Sequence, residues 1–484
     1  MKQYELIVGL EVHAQLATKT KLFCGCGTDG FGQAPNSRVC PVCTAQPGVL
    51  PVLNREAVEL AFRAALALEC ELAETSIFAR KNYFYPDLPK AYQISQYDQP
   101  FSQHGKLLIR PKGAQPRTIN ITRIHMEEDA GKLVHDVGAL KLDGSLVDLN
   151  RAGIPLIEIV SEPEIRTSEE AYAYLVALKE VVQFVGASRC DMEKGEMRCD
   201  ANVSVRPVGE KGFRTRTETK NLNSFKNVKD AIDAEFRRQV EVYESGGTIV
   251  QETRLWDAEK QVSRSMRTKE DAHDYRYFPD PDLVPLVADA HWVAGIKGRM
   301  PELPAAKRAR LTAELGLSAY DAEVLTGDRA LAELFEKAVA AAPAGAAKTV
   351  ANLIATELLG RLNAEGKDAS AVPFPAAHLG RLAGLVVGGT LSSKGAKDVF
   401  GRMWETGKDP QALVAELGLA QVSDDKQVLE WVKAALDANP KAVADIKSGK
   451  DAAIGSIVGA VMKLSKGKAN PGLVNRLIKE TVKA

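Results

Sequence analysis

The sequence predicts an α+β fold, with a largely antiparallel sheet and attendant helices over about the first 295 residues and helices alone after them. Three observations predict it. Short stretches such as "YELIVGLEVHAQL", "RTINITRIHME" and "RCDANVSVRPV" alternate apolar and polar residues, as half-buried antiparallel strands do. Of the 29 aromatic residues, six follow position 300: Tyr320, Phe335, Phe374, Phe400, Trp404 and Trp431. From there to Ala484 the pattern is Ala, Leu, Val, Lys and Glu at helical spacing, broken by Gly and Pro.

The elements follow in order. In "GLEVHAQL" the two-residue strand period turns Leu10 and Val12 toward a core and Glu11 and His13 to the opposite face. In "RIHMEED" it groups His125, Glu127 and Asp129 against Met126 and Glu128, unless "DAGK" ends the strand there. Thr167 with Glu170 forms a capping-box pattern, Leu175, Leu178, Val182 and Val185 share one helix face, and Gly186 ends that helix. "EMRCDANVSVR" puts Arg198, Asp200, Asn202 and Ser204 on one face and Cys199, Ala201, Val203 and Val205 on the other. "RTRTETK" puts Arg214, Arg216, Glu218 and Lys220 together. A second helix is expected from about Asn227, carrying Val228, Ile232, Phe236 and Val240, and stopping at Gly246-Gly247. "GRMPELPAAKRARL" reads as a Pro-punctuated linker, and "ETGKDPQAL" as a weaker boundary. The expected domains are therefore 1–295, 296–405 and 406–484.

Composition narrows the function. No stretch of about 18 apolar residues occurs, and "MKQYELIVGLEV" lacks the unbroken apolar core of a signal peptide, so a cytoplasmic protein without a membrane span is expected. The formal net charge of zero argues against a protein that coats nucleic acid all over. Residues 441–484 nonetheless carry nine Lys/Arg against three Asp/Glu. All seven cysteines precede residue 200. Four of them, Cys24 and Cys26 in "CGCG" and Cys40 and Cys43 in "CPVC", form two close pairs that suit a structural tetrahedral Zn²⁺ site, the alternative being four reduced structural cysteines.

"RIHMEEDAGK" sets three carboxylates in a row, which repel unless something neutralises them. Taken singly, this strand and "GLEVHAQL" read as salt-bridged surface strands. Together with the Asp200 and Glu218 strands they give a sheet face of Glu, His, Asp, Asn, Arg and Lys, which suits a divalent cation with hard oxygen ligands, Mg²⁺, and phosphate. Alternation admits Glu127 with Asp129, or Glu128 alone; both glutamates together require a kink. There is no G-x-x-x-x-G-K-[ST] loop, so a nucleotide would lie on the sheet face.

In sequence order, "GLEVHAQLATKTKLFCGC", "KNYFYPDLPKAYQISQ", "RIHMEEDAGK", "NRAGIPLIEIVSEPE", "MRCDANVSVR", "TETKNLNSF", "HDYRYFPDPDL" and "VMKLSKGKANPGLVNRL" resemble the motif series of the B subunits of tRNA-dependent aspartyl/glutamyl amidotransferases, over essentially the whole chain. The resemblance implies a cradle-like N-terminal kinase domain, a helical domain and a small helical tail domain. It implies ATP-dependent phosphorylation of the side-chain carboxylate of a mischarged glutamyl- or aspartyl-tRNA, followed by attack of ammonia supplied by a glutaminase. The implied partners are that A-type amidase (glutaminase) and a small C-type protein, in a heterotrimer. Carried over residue by residue, Glu11, His13, Glu127, Glu128 and Glu218 are expected to bind Mg²⁺, and Lys220 and Arg198 to contact phosphate. Asn150, Arg151, Asp200, Asn202 and Tyr83 are expected near the nucleotide or the tRNA end, and Lys463, Lys466 and Lys468 on the tRNA backbone. The contrasting reading is a non-catalytic zinc-containing RNA-binding protein.

Overall fold

A computed structural model describes residues 3–137, 140–268, 275–421, 424–448, 451–465 and 468–483. The strands, in chain order, are β1 (Tyr4–Gln15), β2 (Glu71–Leu72), β3 (Thr75–Ser76), β4 (Ala79–Asn82), β5 (Tyr92–Ser95), β6 (Ser102–Ile109), β7 (Arg117–Glu128) and β8 (Lys132–Val137). They continue with β9 (Leu140–Asp148), β10 (Pro155–Ser161), β11 (Met197–Pro207), β12 (Thr217–Lys220), β13 (Glu252–Asp257), β14 (Val262–Thr268), β15 (Phe278–Pro279) and β16 (Leu286–Val287). Nine of them make one sheet in the order β14-β13-β12-β11-β1-β10-β7-β6-β2. Every pairing in it is antiparallel except β12 with β13.

One face of this sheet is apolar because the alternating pattern demands it. Val8, Leu10, Val12 and Ala14 of β1, and Cys199, Ala201, Val203 and Val205 of β11, are buried in a core shared with helices α1 (Arg55–Ala67), α2 (Ser168–Phe184) and α3 (Phe225–Glu244). Leu175, Leu178 and Val182 of α2 join that core, as do Val228 and Ile232 of α3. With helices covering one face, the polar residues are left on the other. A small sheet, β15-β4-β5, packs against β7.

The helix ends show where local chemistry overrode the expected boundaries. Thr167 caps α2, accepting from Glu170 N at 3.1 Å, but the Glu170 carboxylate reaches back to Arg166 N at 2.7 Å rather than to the cap residue. Helix α3 starts two residues before the expected Asn227, because Ser224 caps it by accepting from Asn227 N at 3.1 Å. The strand expected over "RTRTETK" begins only at Thr217. Arg214 is off it, paired with Glu210 and 4.9 Å from the Tyr243 ring centre, because Gly209 and Gly212, both at positive φ, turn the chain just before.

The chain divides into two compact units, Met1–Leu303 and Pro304–Ala484. In the second, one core runs from Leu311 to Val414 and includes Phe335, Phe374, Phe400 and Trp404. Another runs from Val428 to Ile478. Leu413 and Val414, which follow the boundary expected at 405–406, pack into the former.

A buried carboxylate pins α3 to the sheet. Glu235, 1% exposed, accepts from Thr217 Oγ1 at 2.7 Å, Gln239 Nε2 at 2.8 Å and Arg238 Nε at 2.8 Å. Burial alone would raise its pKa; Arg238, Gln239 and Thr217 outweigh that and hold it below the ordinary value of 4.5. The folded state is thus stabilised by this group above about pH 4.5, and the contribution is lost as the pH falls through the lowered folded value. Replacing Glu235 by Ala strands Arg238 and two buried hydrogen-bonding groups and is expected to cost about 3–5 kcal/mol in urea unfolding of the first unit, with the deficit shrinking in acid.

Candidate active site and cysteine cluster

Register brings the polar face together. In β1, Glu11 lies opposite Val160 on one side and Asp200 on the other, and His13 opposite Glu158 and Arg198. Glu158 in turn faces His125 of β7, and Asn202 faces Glu218 of β12. Residues scattered over 200 positions of sequence therefore meet on five adjacent strands.

Two acidic clusters result. In the first, His13 Nε2 lies 3.5 Å from Glu127 Oε1 and 3.3 Å from Glu158 Oε2. His125 Nε2 lies 3.4 Å from the same Glu158 oxygen. Glu127, Glu158 and His125 are all buried. Burial opposes charge on His13, but the hydrogen bond and attraction of Glu158, with Glu127 behind it, prevail and raise its pKa to about 9. Burial likewise opposes charge on Glu158, and the two histidines hold its carboxyl well below the usual range. Lys81 of β4 adds a cation whose pKa is raised, Glu127 and Glu158 overcoming its burial. In the second cluster the carboxylates of Glu11, Asp200 and Glu218 approach within 4.8 Å of one another. Lys220 pairs with Asp200 and lies 3.3 Å from Glu218, Asn202 donates to Glu11 at 2.8 Å, and Thr253 donates to Glu218 at 2.8 Å. Each trio offers ligand atoms close enough to share one cation.

The three consecutive carboxylates part company. Glu127 joins His13, whereas Glu128 pairs with Lys90, accepts from Ile94 N at 2.9 Å, and lines a cavity of about 240 Å³ with Lys21, Cys24 and Cys43. Asp129, 2% exposed, accepts from Arg198 at 2.9 Å and from Gln15 at 3.0 Å.

The other expected residues make contacts of their own, Tyr83 with its ring 5.9 Å from the Lys81 ammonium. Asn150 is a buried brace for the cysteine loop, accepting from Arg38 N and donating to Ala34 O, both at 2.8 Å. Arg151 donates to Ala130 O and Gly131 O at 3.0 and 2.6 Å. Tyr83 donates to Gln93 at 3.1 Å and packs edge-on against Tyr85 and Tyr275. Lys463 lies in the last turn of the helix Ile454–Leu464 and Lys468 follows that helix; both are exposed, and Lys466 lies outside the described residues. Glu158 and Lys81 were not among the expected residues. The signal for Glu158 was present, a lone charge inside the apolar run "IPLIEIV".

The four cysteine sulfurs all lie within 4.8 Å of one another, and those of Cys40 and Cys43 are 3.9 Å apart. Four thiolates at about 2.3 Å from a tetrahedral Zn²⁺ stand roughly 3.8 Å apart, so the set fits that ion. A hydrogen bond from Cys24 lowers the Cys43 thiol to about 4, while burial raises Cys26 to about 11. Lys21 Nζ, fully buried, is 3.6 Å from Cys43 Sγ.

In metal-free protein His13 is expected to titrate near 9 and to remain protonated at neutral pH. In Glu158→Gln its pKa should fall toward the ordinary 6.5, followed by the imidazole proton shifts in an NMR titration.

Comparison with known proteins identifies the family. A family model described as "GatB/GatE catalytic domain" matches residues 6–294, and one described as "GatB domain" matches residues 333–482. Proteins named as the B subunit of aspartyl/glutamyl-tRNA(Asn/Gln) amidotransferase are similar end to end. The one from Carboxydothermus hydrogenoformans is 53% identical over 480 residues, covering 99% of both chains. The one from Geobacter sulfurreducens is 55% identical over 482 residues, also 99% of each. That from Geotalea daltonii is 55% identical over 479 residues, 98% of each. The chain belongs to the family of B subunits of aspartyl/glutamyl-tRNA(Asn/Gln) amidotransferases.

Proposed function

We propose that this chain activates the side-chain carboxylate of mischarged glutamyl- or aspartyl-tRNA by ATP-dependent phosphorylation and directs ammonia onto it, forming glutaminyl- or asparaginyl-tRNA. The observation that carries the reading is the pair of acidic clusters served by neighbouring residues of one strand, Glu11 and His13, with Arg198 and Lys220 beside them. A carboxylate is anionic and has no good leaving group, so ammonia does not displace its oxygen; an acyl phosphate provides one. Phosphoryl transfer of this kind is mostly positioning and charge neutralisation.

His13, Glu127 and Glu158 would hold one Mg²⁺, and Glu11, Asp200 and Glu218 another; Glu128, held by Lys90, stands outside both sets. Mg²⁺ when bound supplies the positive charge that draws phosphate oxygens together. Arg198 and Lys220 would meet phosphate oxygens from the sheet, Lys220 exchanging its pairing with Asp200 for the phosphate. Asn202 orients Glu11, and Thr253 orients Glu218. Cys24, Cys26, Cys40 and Cys43 would hold a structural Zn²⁺ that shapes the loop carried by Asn150. The cytoplasm is the place where such a reaction meets its tRNA. The proposed assembly is a heterotrimer with a glutaminase and a small third protein. Residues 406–484 are the proposed tRNA-binding tail.

Glu127→Gln combined with Glu11→Gln is expected to cut ATP-dependent amidation by about 100-fold or more while the partner's glutamine hydrolysis continues. Retained amidation in a reconstituted assay refutes the assignment. Changing Lys463, Lys466 and Lys468 to Glu should weaken tRNA binding and flatten its salt dependence by up to about 0.7–0.9 log units per lost phosphate contact. Equal affinity at several salt concentrations defeats the tail's proposed role.

A further inference from the structure

Asp129 is a carboxylate with no place in either acidic cluster, and the structure shows what occupies it. It is 2% exposed, and its backbone is fixed on both sides, Asp129 N donating to Ile154 O and Gly153 N donating to Asp129 O, each at 2.8 Å. Gln15 Nε2, from the end of β1, holds Oδ2 at 3.0 Å. Arg151, itself pinned to Ala130 O and Gly131 O, lies 3.6 Å from the same oxygen. The other oxygen, Oδ1, accepts from one terminal nitrogen of Arg198 at 2.9 Å. The Arg198 side chain stays 39% exposed, and its Cα partner across the sheet is His13, whose ring contacts Glu127 and Glu158.

An arginine on a strand carries a long, flexible stem, and fixing it in one direction costs rotamer entropy at the moment of binding. A buried carboxylate that anchors one corner of the guanidinium removes that cost beforehand and leaves the rest of the planar fork turned to the exposed side. We propose that Asp129 is a positioning residue. It aims Arg198 at a phosphate oxygen on the sheet face, with Gln15 and Arg151 as the supports that keep the carboxylate in place. This deepens the reading of the face as an ATP-dependent activating site and rests on it.

The test uses the reconstituted heterotrimeric enzyme. Asp129→Asn keeps shape and removes charge. It is expected to raise the KM for ATP about tenfold, the scale of one charge-assisted hydrogen bond, while the KM for aminoacyl-tRNA and the partner's glutaminase rate stay put. Arg198→Lys should move the same parameter, and the double variant should be no worse than Arg198→Lys alone, because the aspartate acts only through the arginine. Losses that add, or an unchanged KM for ATP, overturn the proposal. Gln15→Met, at the strand end, guards against a folding failure of Asp129→Asn. It should raise the KM for ATP about two- to threefold in a complex whose circular dichroism shows it still folded, and no rise is a second refutation. If the wild-type complex amidates without consuming ATP, the reading of the face fails; if it consumes ATP and Asp129→Asn behaves as wild type, only the role of Asp129 fails.

Discussion

A sheet face this rich in carboxylates exists only because positive charge is built into it at matching positions. Glu127 and Glu158 are met by His13, His125 and Lys81; Asp200 and Glu218 by Lys220; Asp129 by Arg198 and Arg151. Removing either sign leaves buried like charges whose repulsion and desolvation a domain of ordinary stability does not withstand. At the Glu11, Asp200 and Glu218 trio, Lys220 pairs with Asp200 and reaches Glu218, Asn202 donates to Glu11, and Thr253 donates to Glu218. The protonated state of His13 adds a coupling, since a cation arriving there must displace a proton.

The rest of the first unit keeps the back of this face buried. Helices α1, α2 and α3 cover the apolar side, so the strands keep their register and each polar side chain keeps its neighbour across the sheet. The buried Glu235 joins α3 to β12 through Thr217, close in the same strand to Lys220, so a support of the helix is also a support of the site. On the other side the cysteine loop is braced by Asn150 and by Lys21, whose ammonium donates to Arg38 O at 2.7 Å and Leu149 O at 3.3 Å. Two residues expected or available for ligand chemistry thus serve the loop's position.

Much of this was legible in the sequence, for a physical reason. Strand alternation is a local rule, so the faces of Glu11 and His13, of Arg198, Asp200 and Asn202, and the core positions between them could be read directly from residue order. The α+β class and the Thr167 and Gly186 helix signals followed from equally local chemistry. Pairing between strands is not local. Nothing in "PLIEIVS" says that Glu158 will lie opposite both His13 and His125, so the third member of the first cluster went unread. Lys81 comes from the small sheet packed against β7, a tertiary contact without a periodic signature. Asn150 was expected from the resemblance alone, and its hydrogen bonds to Arg38 N and Ala34 O are tertiary contacts without a local signature. Arg214 was misplaced because the glycine turn before Thr217 interrupts an alternation that the residue types alone continue.

The divergence of Glu127, Glu128 and Asp129 reaches beyond chemistry into how this segment can change over time. Three neighbours serve three compartments: the histidine cluster, the Lys90 side with its cavity, and the arginine anchor. A single substitution damages one of them. A one-residue insertion or deletion upstream in β7 would exchange all three at once, because the strand period is two. The stretch is therefore far more intolerant of changes in length than of changes in letter. Loops elsewhere in the chain can grow or shrink, but here the spacing itself is the inherited character.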